Sequence, residues 1–278
     1  MINNHIPIRD TRLYSDTVNK MRSFFLNKGF SEVHTQDRLS ILAACEDPTT
    51  VATYEYGGNV WPLPQTGQMW LEYELLNNPS LNGVFCVSTS FRNEPNPIPG
   101  RHETIFPMFE FEVKGTIDDL REICSGLCEH LGLGKKENYV HKEYSELAEQ
   151  YDSDNLTSDH ELLMEKEYGP VVFLENFPEE SSPFWNMKRN GNKANKIDVI
   201  IYGQETIGSA ERSSNKDEMK DRFMKISDGK YAELLFDKFG KERVEKELNE
   251  FLSLDFFPRF GGGIGMTRIV RAMEKSQA

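Results

Sequence analysis

Apolar side chains recur at helical spacing in several stretches of the chain. Between residues 12 and 28 they follow the period of about 3.6 residues that buries one face of a helix, and Gly29 follows as a residue that can end it. The same periodicity predicts helices at about 67–77, 117–131, 158–167, 214–226, 240–252 and 265–274. Helices therefore account for much of the chain.

Short runs of β-branched and aromatic residues separate these helices. They predict strands at 30–35, 54–63, 83–92, 105–113, 170–176, 197–202 and 257–263. The second run contains Gly57-Gly58-Asn59, which favours a hairpin turn. The runs at 83–92 and 105–113 are joined by a proline-rich loop and should pair antiparallel. An α+β fold is expected, with an antiparallel sheet flanked by helices.

Length and composition fit one domain. The 278 residues contain no linker, repeat or low-complexity tract, so we expect a single domain over 1–278, with a helical insertion at about 134–168. No apolar run reaches the ~20 residues of a membrane span, and the N-terminus lacks a secretory pattern. We therefore expect a cytoplasmic protein.

A net charge of −13 argues against a nucleic-acid partner, because proteins that bind nucleic acids gather Lys and Arg on one face.

The first group of candidate functional residues lies around the predicted strand pair. Arg92 ends the strand at 83–92, Glu94 follows it, and Phe106 opens the strand at 105–113. An arginine fork can bind a phosphate, and an aromatic ring can stack on a base. Alternatively, Phe106 is ordinary core and the two charged residues form a solvated ion pair. The connecting loop adds two further candidates, Arg101 and His102.

The second group is a glycine string followed by Arg268. Small residues at 261–265 let backbone approach a ligand closely, and Arg268 falls in the first turns of the closing helix, where anions bind favourably. The string lacks the features of a P-loop or of a dinucleotide fingerprint. Its simpler interpretation is a tight joint between strand and helix, with Arg268 on the surface.

Together the two groups resemble motifs 2 and 3 of the class II aminoacyl-tRNA synthetases, in the branch that charges aspartate, asparagine and lysine. The resemblance implies an ATP site in which Arg92 binds the α-phosphate, Arg268 contacts the γ-phosphate and Phe106 stacks on adenine. Arg92 and Arg268 would be the catalytic residues. The polar residues implied to complete the ATP site are Glu94, Arg101, His102 and Glu205.

The segment 203–212 is similar to the part of that family in which a glutamate binds magnesium and an arginine reads the substrate side chain. Here these residues are Glu205 and Arg212, and Ser209 is expected to assist the ion. One carboxylate beside ATP suits Mg²⁺, which prefers few carboxylates together with water and phosphate oxygens.

The segment 63–72 is similar to the family's amino-acid-binding segment. The resemblance orients Gln65 and Gln68 toward the substrate, and Glu46 would meet its ammonium group. Leu71 aligns with a position that holds lysine in aspartate-charging relatives and an apolar residue in asparagine-charging ones. The pocket therefore resembles the asparagine-charging branch.

The sequence also departs from the family. His34-Thr35 is followed by Gln36 where motif 1 has a proline, which bears on the homodimer that we expect from the resemblance. By the resemblance, we expect the chain to begin almost directly at the catalytic core, without the N-terminal β-barrel that reads the anticodon in this branch. With the charge of −13, this makes tRNA an unexpected partner.

The leading hypothesis is therefore an AMP-forming ligase that activates aspartate and transfers it to ammonia or a small amine, as asparagine synthetases of this type do. Two alternatives stay open. The aminoacyl group could pass to a protein, a carrier or a tRNA, or the chain could be a regulatory paralogue that binds ligands without turnover.

Overall fold

The computed structural model describes residues 10–36, 38–43, 49–98, 102–181 and 184–277. Helix α1 (Thr11–Asn27) opens this part of the chain. It begins at Asp10, whose carboxylate accepts hydrogen bonds from the backbone N–H groups of Arg12 and Leu13, both at 2.9 Å. It ends where Gly29 takes a left-handed conformation, with φ of +79°, which glycine adopts without strain.

Most of the strands belong to one sheet. In chain order they are β1 (Ser31–Glu32), β2 (Thr53–Tyr56), β3 (Asn59–Pro62), β4 (Gly83–Phe91), β5 (Ile105–Lys114), β6 (Val140–Glu143), β7 (Val171–Pro178), β8 (Arg189–Asn190), β9 (Lys193–Ile201), β10 (Gln204–Arg212) and β11 (Arg259–Gly265). The order in space is β1-β4-β5-β11-β10-β9-β7-β6, with β8 on β9, while β2 and β3 form the predicted hairpin.

The sheet is antiparallel except at its two edges. The pairs β1/β4 and β6/β7 are parallel, and the pairs between them are antiparallel, including the predicted pair β4/β5. The expected α+β class is confirmed, although the sheet is mixed rather than wholly antiparallel.

Helices cover both faces of this sheet. After α1 they are α2 (Gln68–Asn77), α3 (Ile117–Leu131), α4 (Tyr144–Gln150), α5 (Ser158–Tyr168), α6 (Lys216–Lys225), α7 (Lys230–Phe239), α8 (Lys241–Ser253) and α9 (Met266–Ser276). Helices α1, α3 and α9 share the largest core cluster with one face of the central strands. Among the described residues, no helix is both long and apolar enough to cross a membrane.

The opposite face of the sheet is covered from two sides. Helix α2 packs on β4 through Leu71 and Leu75, and α6, α7 and α8 form a separate core around Trp185. On the other side, α4 and α5 pack on β7 and β9. The segment 134–168 thus adds strand β6 at the sheet edge together with α4 and α5.

Candidate active site

The central strands present a shallow floor to a cavity. Residues directly opposite each other in an antiparallel pair project from the same face. Two such rows cross β5, β11, β10 and β9: Glu112, Gly261, Ala210 and Lys196 in one, and Glu110, Gly263, Gly208 and Asp198 in the other. In both rows small residues lie between charged ones. A cavity of about 370 Å³ opens above this face.

A β-bulge sets the direction of Glu205. In the β9/β10 pair, Glu205 lies opposite Ile200 and Ile207 lies opposite Val199, so Thr206 is the extra residue. Ile207 and Val199 are therefore directed into the core beneath the sheet, whereas Glu205 lines the cavity. Without the bulge, residues 205 and 207 would project from the same face.

Arg92 is a cation at the cavity with one unsatisfied hydrogen-bond donor in the described part of the chain. Its Nε is buried and has no hydrogen-bond partner among the described residues, and its guanidinium carbon lies 5.4 Å from the centroid of the Phe106 ring. Both side chains line the cavity. An orphaned buried N–H group is costly, so it points to an anionic ligand that would complete it.

Arg268 faces the same cavity from the start of α9. Its Nη1 donates to the backbone carbonyl oxygen of Glu205 at 2.6 Å and lies 4.0 Å from the Glu205 carboxylate. The guanidinium is thus anchored beside Glu205 while part of its donor set faces the cavity. The arginines of both sequence motifs therefore line one cavity.

The predicted polar residues of the motif 2 loop also meet at this cavity. Nδ1 of His102 lies 2.8 Å from Oε2 of Glu94, and both residues line it. Nearby, Arg271 donates to Glu103 at 2.7 Å. Arg101 lies outside the described residues.

A buried cluster of charges closes another part of the cavity. Arg212, which lines it, donates to Glu112 through Nη2 at 3.1 Å, and Arg259 donates to Glu72 at 2.6 Å. Burial raises the pKa of Glu112 to about 7; the Arg212 charge opposes this shift and the Glu72 charge adds to it. Gly261 makes room for this pair, because a Cβ there would lie only 1.7 Å from Oε2 of Glu112.

The predicted amino-acid-binding residues occupy different positions. Gln68 lines the cavity, and its Nε2 donates to Glu72 at 3.0 Å. Gln65 is buried, donates to Thr50 at 3.0 Å and is absent from the cavity lining. Glu46 lies outside the described residues.

Ser209 lies on β10, but its side chain faces the core beneath the sheet. It stands opposite Ile197, and its hydroxyl donates to the Ile197 carbonyl oxygen at 2.6 Å. This hydroxyl also has a hydrogen-bond contact with the buried sulfur of Cys124, in helix α3. The hydroxyl is thus on the opposite face of the sheet from Glu205.

Asp198 is a candidate metal ligand that sequence reasoning missed. Its Oδ1 is buried without a hydrogen-bond partner among the described residues, and its Oδ2 lies 2.7 Å from the Lys196 ammonium. A Cβ built on Gly208 would lie 3.1 Å from Oε1 of Glu205 and 3.7 Å from Oδ1 of Asp198, so both oxygens border the space that this glycine leaves. Two carboxylates beside a phosphate site suit Mg²⁺.

Burial raises the pKa of Asp198 to about 7; Lys196 opposes the shift and the Glu205 charge adds to it. No three His, Cys, Asp or Glu side chains in the described ranges converge as a metal cluster. A magnesium ion at this pair would therefore take its remaining ligands from water and phosphate.

Comparison with known proteins places the chain in a family. The sequence model of the tRNA synthetases class II (D, K and N) matches residues 9–278, so the chain belongs to this family. It is 24% identical to the aspartate–tRNA(Asp) ligase of Pyrobaculum aerophilum over 290 residues, which is 93% of this chain and 62% of that protein. It is also 24% identical to the asparagine–tRNA ligase of Koribacter versatilis, covering 93% and 64% respectively.

Solved structures show the same fold. The asparaginyl-tRNA synthetase of Pyrococcus horikoshii, complexed with asparaginyl-adenylate, superposes with a TM-score of 0.77 at 19% identity, over 95% of this chain and 64% of that one. A putative aspartyl-tRNA synthetase from Leishmania major gives 0.74 at 19% identity, over 95% and 62%. The chain thus spans about 60% of the length of such relatives.

Proposed function

We propose that this chain activates an amino acid with ATP. An oxygen of the amino-acid carboxylate attacks the α-phosphorus, the bond from that phosphorus to the bridging oxygen of the β-phosphate breaks, and an aminoacyl-adenylate and pyrophosphate result. The observation that carries the proposal is the convergence of Arg92 and Arg268 on one cavity, where the buried Nε of Arg92 has no hydrogen-bond partner within the described ranges. Family membership supports the same reaction.

Each part of ATP has a suitable partner in this cavity. Arg92 would bind the α-phosphate, where negative charge grows during attack, and Arg268 the γ-phosphate. Phe106 would stack on adenine, with Glu94 and His102 at its side. Such fixed charges stabilise a transition state because they need no reorganisation when the charge develops. Magnesium, held by Glu205 and Asp198, would neutralise further phosphate charge.

The amino-acid end of the cavity favours an uncharged side chain. Arg212 would read the substrate, but its positive charge is already balanced by Glu112, and Leu71 contributes an apolar wall. A substrate carboxylate would have to compete with Glu112 for the guanidinium, whereas an amide can hydrogen-bond without adding a charge. Asparagine is therefore the first substrate to test and aspartate the second.

The relatives support a different acceptor of the aminoacyl group from the one expected from the sequence. The sequence alone favours ammonia as acceptor and an absence of tRNA binding. The relatives are named as aspartate–tRNA and asparagine–tRNA ligases, which gives no support to either expectation. We therefore propose that the aminoacyl group passes to a tRNA. Separately, we propose a homodimer, on the ground of the resemblance to motif 1 of the family.

Amino-acid-dependent exchange of pyrophosphate into ATP tests the activation step. The wild type should exchange with asparagine or aspartate. Arg92→Ala and Arg268→Ala should each lower the rate by ~10²–10³, the usual cost of losing one preorganised charge stabiliser. Arg22→Ala is the matched control, because Arg22 pairs with Glu32 on the surface and should leave the rate unchanged. Near-normal rates in both cavity variants would refute the assigned roles.

The acceptor needs a separate measurement. Radiolabelled asparagine or aspartate is incubated with Mg²⁺, ATP and either total tRNA or ammonium ions. Label that becomes acid-precipitable and sensitive to ribonuclease supports transfer to tRNA. Release of a new amide product with ammonium, and no labelled RNA, would restore the ammonia hypothesis.

A further inference from the structure

Lys196 is a cation held inside the cavity. It lies on β9 opposite Ala210, and its side chain, 17% exposed, lines the same cavity as Arg92 and Arg268. The ammonium lies 2.7 Å from Oδ2 of Asp198 and 4.0 Å from the centroid of the Phe177 ring. Both contacts restrict a side chain that is normally flexible.

The Lys196–Asp198 pair differs from an ordinary surface pair on the same strand. Lys193 also pairs with a carboxylate, that of Glu143, at 3.0 Å, but both side chains are more than a third exposed and neither lines the cavity. Such pairs contribute little. Asp198, in contrast, is buried, and its second oxygen faces the gap beside Glu205. One carboxylate can thus hold the ammonium on one side and a metal ion on the other.

We propose that Lys196 is a further catalytic residue of this site, whose ammonium contacts the phosphates of ATP beside the Asp198–Glu205 pair and stabilises the departing pyrophosphate. The proposal rests on the adenylate-forming function proposed above. Lys196 would add a permanent positive charge to those that Arg92, Arg268 and the divalent ion supply. The same ammonium must repel the metal ion, so the site would trade metal affinity for a built-in charge.

This trade gives two opposite effects in one variant. Lys196→Gln keeps a neutral donor that can reach Asp198 but removes the charge. Because Lys196 also holds down the pKa of Asp198, Mn²⁺ affinities are compared at alkaline pH, where they no longer change with pH and Asp198 is ionised. There, loss of a unit charge beside a divalent ion should tighten Mn²⁺ binding by roughly tenfold, even when screened to water-like strength. At saturating Mg²⁺, the kcat of pyrophosphate exchange should nevertheless fall by about tenfold or more, because a charge stabiliser is lost. The lower kcat at saturating Mg²⁺ is the part of this result that an effect of Lys196 on the metal ion alone would not produce.

The experiment measures Mn²⁺ binding to the full chain by the paramagnetic resonance signal of free Mn²⁺, together with exchange kcat. Lys193→Gln is the matched control and should match the wild type in both. Lys196→Arg keeps the charge and should bind Mn²⁺ as weakly as the wild type. Thermal unfolding of each variant verifies folding.

Tighter Mn²⁺ binding with a lower kcat in Lys196→Gln supports the proposal. Unchanged or weaker Mn²⁺ binding overturns it, and so does tighter binding with an unchanged kcat. The metal measurement needs no amino-acid substrate. If no amino acid supports pyrophosphate exchange by the wild type, the proposed function fails. Unaltered Mn²⁺ binding in Lys196→Gln instead counts against the role of Lys196 alone.

Discussion

Replacing Gly261 with alanine should damage both stability and substrate recognition. Gly261 lies on β11, opposite Glu112 in the sheet. A Cβ there would lie 1.7 Å from Oε2 of Glu112 and 2.5 Å from the carbonyl oxygen of Phe111, whereas ordinary contact begins at 3.4 Å. Glu112 would have to retreat, yet it is fully buried and hydrogen-bonded to Arg212.

The size of the effect follows from these contacts. Overpacking a well-packed site costs ~1–3 kcal/mol. Breaking a buried ion pair by displacing one partner costs ~3–5 kcal/mol, because the other charge is left uncompensated. Since Glu112 can move partly and keep some contact with Arg212, we expect Gly261→Ala to lower the free energy of unfolding by about 3 kcal/mol. The KM for the amino acid should rise, because Arg212 loses the partner that positions it.

Urea unfolding followed by circular dichroism, with amino-acid KM from pyrophosphate exchange, tests this expectation. The control is Gly126→Ala in helix α3, where an added Cβ would meet only Phe24 at an ordinary 3.5 Å and should be neutral or stabilising. Adding Glu112→Asp to Gly261→Ala shortens the crowded side chain and should recover ~1 kcal/mol of the loss. A stability within ~0.5 kcal/mol of the wild type and an unchanged KM for Gly261→Ala would refute the reasoning.

Two further predictions concern carboxylates. Asp198→Asn should weaken Mn²⁺ binding by roughly tenfold or more, and unchanged binding in the resonance titration would exclude Asp198 as a ligand. Burial raises the pKa of Glu175, but hydrogen bonds from His141 and Arg121 outweigh it and lower the pKa to about 2. Because the pKa of Glu175 is lower in the folded state, the ionised carboxylate stabilises the fold. This stabilisation is fully present above the unfolded-state pKa of 4.5 and is lost as the pH falls toward 2. Because both partners are about a third exposed, the contribution is discounted to ~2 kcal/mol. Glu175→Gln should therefore cost this much at pH 7 and progressively less in acid; an equal cost at pH 7 and pH 3 would contradict the assignment.

Several elements with regular periodicity were predicted from the sequence, whereas a strand with an irregular backbone was not. Helices α1, α3 and α8 fall within two residues of their predicted bounds because each buries one regular apolar stripe. Strand β10 was not predicted, because the bulge at Thr206 breaks its alternation. Helix α7 was also missed, although Tyr231, Leu235 and Phe239 follow a helical period that could have revealed it.

In the candidate site, residues within the local sequence motifs were predicted, whereas contacts between residues far apart in the chain were not. The resemblance to the two family motifs predicted that Arg92 and Arg268 would face one cavity, and the structure brings them together there. The glycine string was expected to let a ligand approach. Gly263 and Gly265 do line the cavity, but Gly261 instead accommodates the Glu112 carboxylate. Glu112 lies 100 residues from Arg212 in the chain, and no local pattern connects them.

Charge pairing explains why the net charge of −13 does not describe this cavity. Several of its cations are matched by a carboxylate, as in the pairs Arg212–Glu112, Arg271–Glu103 and Lys196–Asp198. Paired cations fix geometry and add little long-range electric field, so the net charge of the whole chain neither reveals nor excludes an anion site.

Arg92 retains a buried nitrogen without a partner in the described part of the chain. A phosphate bound there would gain a hydrogen bond and relieve a desolvation cost that the folded protein already bears. The unsatisfied donor is therefore a stronger indication of the ligand's charge than the composition of the whole chain.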